Sequence, residues 1–227
     1  MTTDETAAIA NAARTFFVTG SDTGIGKTRV AAAIARLLAR PNMRIQFVKP
    51  VETGRTPNEP GDADSSRRAS RLPTASAITL LRYPLPIAPC AAAAAEGSVF
   101  SLDLLLEQWQ KLPPADLRIV EGAGGLAVPL DSGGRDWTDF ARAITTDRIV
   151  LVVPDRLGAI NQARLTAAYA KRIGKPAGLW LNEVEAQSDE VRRSNRDALE
   201  AVPLIASQRF GAELPENPER TLTFFST

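Results

Sequence analysis

Residues 16–30 read FFVTGSDTGIGKTRV. An apolar run stops at Gly20, and a glycine-rich turn then ends in Gly26-Lys27-Thr28. A strand, a turn built on Gly, then Lys and a hydroxyl opening a helix is the order in which a chain cradles nucleotide phosphates. The strict pattern is G-x-x-x-x-G-K-[ST]. Counted back from Gly26, its first glycine falls at position 21, where the chain has Ser21; the glycine stands one earlier, at Gly20. The loop is one residue longer than the strict pattern, in otherwise matching context. Gly24, Ile25 and Gly26 form the turn that brings the backbone close to phosphate oxygens. The helix that follows points its N–H groups and positive dipole end at the anion. Lys27 is expected to neutralise β/γ-phosphate charge, Thr28 to offer its hydroxyl to Mg²⁺, and Arg29 to stand beside them.

Around this loop, apolar runs alternate with helical patterns. Strands are expected at 15–19, 44–50, 117–125, 148–154, 176–184 and 202–206. Val30, Ile34, Leu37 and Leu38 recur at helical spacing and mark a helix over 27–40. Further helices are expected at about 101–111, 136–146, 158–173 and 187–200. This βα alternation predicts an α/β, three-layer fold: a mostly parallel sheet with helices on both faces, P-loop NTPase-like. Residues 54–73, rich in Pro, Gly, Asp, Ser and Arg, read as a long polar surface loop of the functional kind. CAAAAAEG at 90–97 is a plain helix former with no chemistry assigned. Residues 1–14 read as a tail or lead-in helix and 15–227 as a single domain.

Composition narrows the chemistry. The 227 residues carry 27 basic and 26 acidic side chains, a net charge of +1 that gives no reason to expect nucleic acid or an anionic membrane as partner. No apolar stretch is long enough to span a bilayer, and the first fourteen residues lack the basic and apolar regions of a secretory signal, so a cytoplasmic protein is expected. Cys90 is the one cysteine, which removes an intrachain disulfide and any CxxC metal site. There is no histidine, which removes Ser-His-Asp and Cys-His nucleophile pairs and His-ligated zinc. The chemistry must come from Lys, Arg, carboxylates, hydroxyls, backbone N–H groups and a hard metal ion.

In an open parallel sheet, ligands sit beyond the carboxyl ends of the strands. There the chain places Gly20–Thr28, Lys49, Glu121 in IVEGAGG, Pro154–Gly158 and Asn182. Glu121 and a loop carboxylate, Asp64, would complete an Mg²⁺ site with Thr28, since Mg²⁺ takes hard oxygens and keeps several waters. Asp62, two residues before Asp64, is an equivalent loop charge on this reading. Lys49 follows a strand that reads as buried, where a charge is costly unless it faces a ligand or an ionic partner. Asn182 offers an amide to a base edge, or serves a turn.

VTGSDTGIGKT (18–28), VKPVETG (48–54), VEGAGG (120–125), RLGAIN (156–161) and GLWLNEV (178–184) together resemble the dethiobiotin synthetase family. Its loop, G-T-D-T-x-x-G-K-T, carries the same extra residue. The resemblance implies an ATP-dependent cyclo-ligase of biotin biosynthesis that joins CO₂ to 7,8-diaminopelargonate, using MgATP, and closes a cyclic urea. It implies a carbamate, then a carbamic-phosphoric anhydride that the second amine attacks. Matched by position, Lys49 and Lys27 are the catalytic cations. Thr28, Asp64 and Glu121 are the Mg²⁺ ligands, and Gly24, Ile25, Gly26, Arg29, Gly122, Ala123, Gly124 and Asn182 the rest of the ATP site. Thr23 and Thr53 are substrate contacts. Leu157, Gly158 and Asn161 hold the substrate's distal carboxylate from a neighbouring subunit, so a homodimer is implied by the resemblance alone. Gly24 stands where some members have Glu, and Arg156 where some have Lys. An amidotransferase-type ligase of the same group would require a nucleophilic Cys paired with His. A ParA/MinD-like ATPase would use a lysine early in the loop, where this chain has Gly-Ser-Asp-Thr-Gly-Ile at 20–25.

Overall fold

A computed structural model describes residues 13–56, 58–199 and 202–226. The expectation of a tail or helix over the first twelve residues lies outside the described residues. Seven strands form one sheet: β1 (Arg14–Gly20), β2 (Ile45–Thr53), β3 (Ser76–Tyr83), β4 (Leu117–Glu121), β5 (Arg148–Pro154), β6 (Ala177–Asn182) and β7 (Leu204–Gln208). Their order is β3-β2-β4-β1-β5-β6-β7, and every pairing is parallel.

The helices are α1 (Lys27–Leu38), α2 (Asp62–Ser70), α3 (Pro89–Ala95), α4 (Leu102–Gln110), α5 (Trp137–Ala143), α6 (Ala159–Ala170), α7 (Asp189–Ala198) and α8 (Pro218–Ser226), and a 3₁₀ turn, Lys171–Ile173, follows α6. Parallel crossovers cover both faces of the sheet, so central strands bury alternate residues into two cores. In β1, Phe16 and Val18 face the core under α1 and α8, with Val30, Ile34 and Phe225. Phe17 faces the other, with Trp137 and Phe140 of α5 and Leu105 of α4. All of these are 0% exposed.

The three-layer α/β fold therefore stands, with three corrections. Residues 76–83 form a seventh strand, at the sheet edge, where most of its side chains are only half-buried. Residues 54–73 are not one loop, because Asp62–Ser70 is a helix with Asp62 and Asp64 in its first turn. The C-terminal segment is helical as well, with α8 seating Phe225 against Phe16 at a ring separation of 4.6 Å.

Candidate active site

The loop after β1 is shaped by its neighbours. A Cβ at Gly20 would lie 2.2 Å from the Val152 carbonyl oxygen of β5 and 2.6 Å from Ile25 Cδ1. The packing of β1 on β5 and on Ile25 thus demands glycine at position 20. The turn is made where Gly24 and Gly26 take φ of 73° and 88°, the left-handed region that glycine enters freely. Gly26 caps α1, and a Cβ there would meet Asn182 Nδ2 at 2.2 Å. Asn182, fully buried at the end of β6, donates from Nδ2 to the Ile25 carbonyl at 2.8 Å. Gly26→Ala is therefore expected to weaken nucleotide binding about tenfold, measured by calorimetry, through backbone strain and displacement of this brace.

The charged residues converge beside the loop. Lys49, 3% exposed within β2, places Nζ 2.9 Å from Glu121 Oε1 and 2.6 Å from Asp62 Oδ2. It also reaches the Gly122 carbonyl at 3.4 Å. Thr28 Oγ1 donates to the same Glu121 Oε1 at 3.1 Å. Lys27 is 5% exposed and donates to the Asp22 carbonyl. Burial pushes its ammonium down to about 8, against the pull of Glu121. Burial also opposes the charge on Lys49, but Glu121 and Asp62 outweigh it and hold the ammonium protonated. Burial opposes ionisation of Asp62, and Lys49 overcomes that and draws its carboxyl below the usual range. The Glu121 carboxyl is lifted by its burial, with Lys49 pulling the other way.

A cavity of about 390 Å³ opens onto this cluster, with Thr23, Gly24, Gly26, Lys27, Thr28, Lys49, Thr53, Glu121, Ala123 and Gly124 of the expected set in its walls. Glu52, Gly54, Arg55, Asp62 and Pro86 line it too, and the sequence reading named none of them as site residues. Asp64 lies elsewhere. Its carboxylate accepts the Gly61 N–H at 3.3 Å, back across the first turn of α2, and it borders a separate hollow with Arg68 and Arg82. The acid that meets Lys49 and Glu121 is Asp62. Ile25 is buried beneath the loop, and Asn182 gives its Nδ2 to the turn while its Oδ1 is buried with no hydrogen-bond partner. Leu157 is 95% exposed, Gly158 caps α6, and Asn161 sits exposed in its first turn, all outside this cavity.

Arg29 points away as well. Its guanidinium donates to the carbonyls of Glu183 at 2.9 Å, Ala212 at 2.8 Å and Arg209, strapping the segment after β7 onto α1. Arg29→Ala removes the guanidinium bonds, although Gln208 Nε2 still donates to the Ala212 carbonyl and the Ala212 N–H to that of Arg209. It is expected to cost about 2 kcal/mol in urea unfolding.

Thr28, Asp62 and Glu121 present only hard oxygens, and Glu121 Oε2 is buried with no hydrogen-bond partner. Among the described residues no three His, Cys, Asp or Glu side chains gather as a metal cage. Two carboxylates and a hydroxyl suit Mg²⁺, which draws its remaining ligands from water and phosphate.

A family model described as an AAA domain matches residues 14–221. A curated relative, the ATP-dependent dethiobiotin synthetase of Bacillus licheniformis, is 35% identical over 84% of the chain and 83% of its own length. The protein of the same name from Mycobacterium avium is 40% identical over 82% of the chain and 81% of its own. Among solved structures, a plasmid partition protein from Borrelia burgdorferi superposes with a TM-score of 0.61 at 11% identity, covering 94% of the chain and 98% of its own; at that identity the likeness is one of fold.

Proposed function

The chain belongs to the ATP-dependent dethiobiotin synthetase family, and from that premise we propose that it uses ATP to close 7,8-diaminopelargonate and CO₂ into dethiobiotin in the cytoplasm. The observation that carries the reading is the meeting of Lys27, Lys49, Thr28, Asp62 and Glu121 on one cavity at the phosphate loop.

The reaction brings two anions together. One amine of the diamine adds to CO₂ and loses a proton, giving a carbamate. A carbamate oxygen attacks the γ-phosphorus of ATP, and ADP leaves. The second amine attacks the carbonyl carbon of the mixed anhydride, phosphate departs, and the ring closes. Carbamate and triphosphate repel unless cations stand between them, and such electrostatic positioning is the main lever on phosphoryl transfer. Lys27, first residue of α1, faces the β- and γ-phosphates beside the helix N-terminus. Lys49, kept charged by two carboxylates, stabilises the developing carbamate. Thr28, Asp62 and Glu121 would hold Mg²⁺, which when bound neutralises phosphate oxygens. Thr23 and Thr53 contact the diamine from the cavity wall. The exposed turn of Leu157, Gly158 and Asn161 serves the site of a second copy, receiving the distal carboxylate in a homodimer.

ADP release by the purified protein tests this reading. It is expected to rise at least tenfold only when diamine and bicarbonate are both present, on the scale of a reaction whose acceptor is positioned by the site. Release indifferent to the diamine would contradict the ligase reading and favour a ParA/MinD-like ATPase.

A further inference from the structure

Glu52 is buried at 3% exposure near the carboxyl end of β2, and the reaction above gives it no part. Its Oε1 accepts the backbone N–H of Asp62, the first residue of α2, at 2.7 Å. Its Oε2 lies 3.4 Å from Arg82 Nη2. Arg82 in turn donates to the Glu59 carbonyl at 2.8 Å and the Thr56 carbonyl at 3.2 Å. Gly61 is packed directly against this pair: a Cβ there would meet Glu52 Oε2 at 2.1 Å and Arg82 Nη2 at 2.9 Å. Gly61 has φ of −89°, so its backbone would accept any residue; only the clasp requires glycine.

We infer that Glu52 is a positioning residue that fixes the start of α2, and through it Asp62, against Lys49 and Glu121. A buried carboxylate on a helix N–H makes a charge-assisted bond that the helix dipole reinforces. Asp62 is otherwise the least anchored member of the cluster, its side chain 36% exposed against 4% for Lys49 and 6% for Glu121. The clasp converts the segment between β2 and α2 into a fixed mount for a carboxylate that must meet two partners from other strands. The inference rests on the proposed role of Asp62 in holding Mg²⁺, and its test includes a readout that does not.

Glu52→Ala, Glu52→Gln and Gly61→Ala are compared with the parent protein. Amide hydrogen exchange over 58–66 in the nucleotide-free protein is expected to speed up at least tenfold in Glu52→Ala, with β1 and β4 unchanged. In calorimetric titration with MgCl₂ in the presence of ATP, its Mg²⁺ affinity is expected to fall about tenfold, as when a group that orients a metal ligand is lost. Glu52→Gln keeps an oxygen for the Asp62 N–H and is expected to stay within about threefold of the parent. Gly61→Ala, with Glu52 in place but forced off α2, is expected to reproduce the defect even if Glu52→Ala fails to fold. Parent-like exchange and Mg²⁺ affinity in Glu52→Ala and Gly61→Ala would overturn the inference. Faster exchange with unchanged Mg²⁺ affinity would uphold the clasp and overturn the metal role of Asp62.

Discussion

Lys49→Gln is expected to lower turnover about a thousandfold, the scale on which a preorganised charge at the reacting group acts. The far-ultraviolet circular dichroism should stay that of the parent, because the substitution leaves the backbone pairing of β2 with β3 and β4 in place. Stability is a different matter. Lys49 separates two carboxylates, one of them on Glu121 at 4% exposure. Glutamine leaves the buried Glu121 and the part-exposed Asp62 with no cation between them. Stripping the partner from a buried ion pair costs about 3 kcal/mol, which urea unfolding without divalent ions would register. Added Mg²⁺ should return part of that stability, since a cation again lies between the acids, and should not return turnover. A variant with full turnover would remove Lys49 from the chemistry. A variant whose stability ignores Mg²⁺ would remove the two acids from the metal site.

The second large effect separates two aspartates that the sequence places two positions apart. Asp62→Asn is expected to raise the Mg²⁺ concentration for half-maximal turnover about a hundredfold, as expected for a charged oxygen ligand lost from a hard-cation site. Glu121→Gln should act in the same direction. Asp64→Asn should leave the Mg²⁺ titration where it was and cost under about 1 kcal/mol, since Asn keeps an oxygen for the Gly61 N–H. The reverse ranking, with Asp64→Asn raising the requirement and Asp62→Asn neutral, would mean that α2 starts in a different register when ligands bind.

That pair of residues also marks where the sequence stopped being readable. As loop charges, Asp62 and Asp64 are interchangeable. On a helix, two positions turn the side chain by about 200°, so one acid faces Lys49 while the other caps Gly61. The polar run that hides α2 has no apolar stripe to betray it: only Ala63, Ser66 and Ser70 are buried along it. Strand β3 escaped for a related reason. It lies at the sheet edge and pairs on one side only, with β2, so SAITLLRY need not show the unbroken apolar run of a central strand. The central strands were legible because both their faces are buried. The phosphate loop was legible because glycine and lysine there answer to local geometry. Asn182 and Arg29 were placed at the nucleotide from their positions in the motif. Asn182 Nδ2 and the Arg29 guanidinium donate to carbonyls of Ile25, Glu183, Arg209 and Ala212, partners far away in sequence that no local pattern announces.

The proposed reaction of this cavity turns ATP, CO₂ and a diamine into a cyclic urea. It is tested most directly by the mass of the product formed from 7,8-diaminopelargonate, bicarbonate and MgATP, with phosphate counted against it. A product heavier than the diamine by CO₂ less water is expected, formed one for one with phosphate and lost in Lys49→Gln. An unchanged diamine with phosphate still released would contradict it.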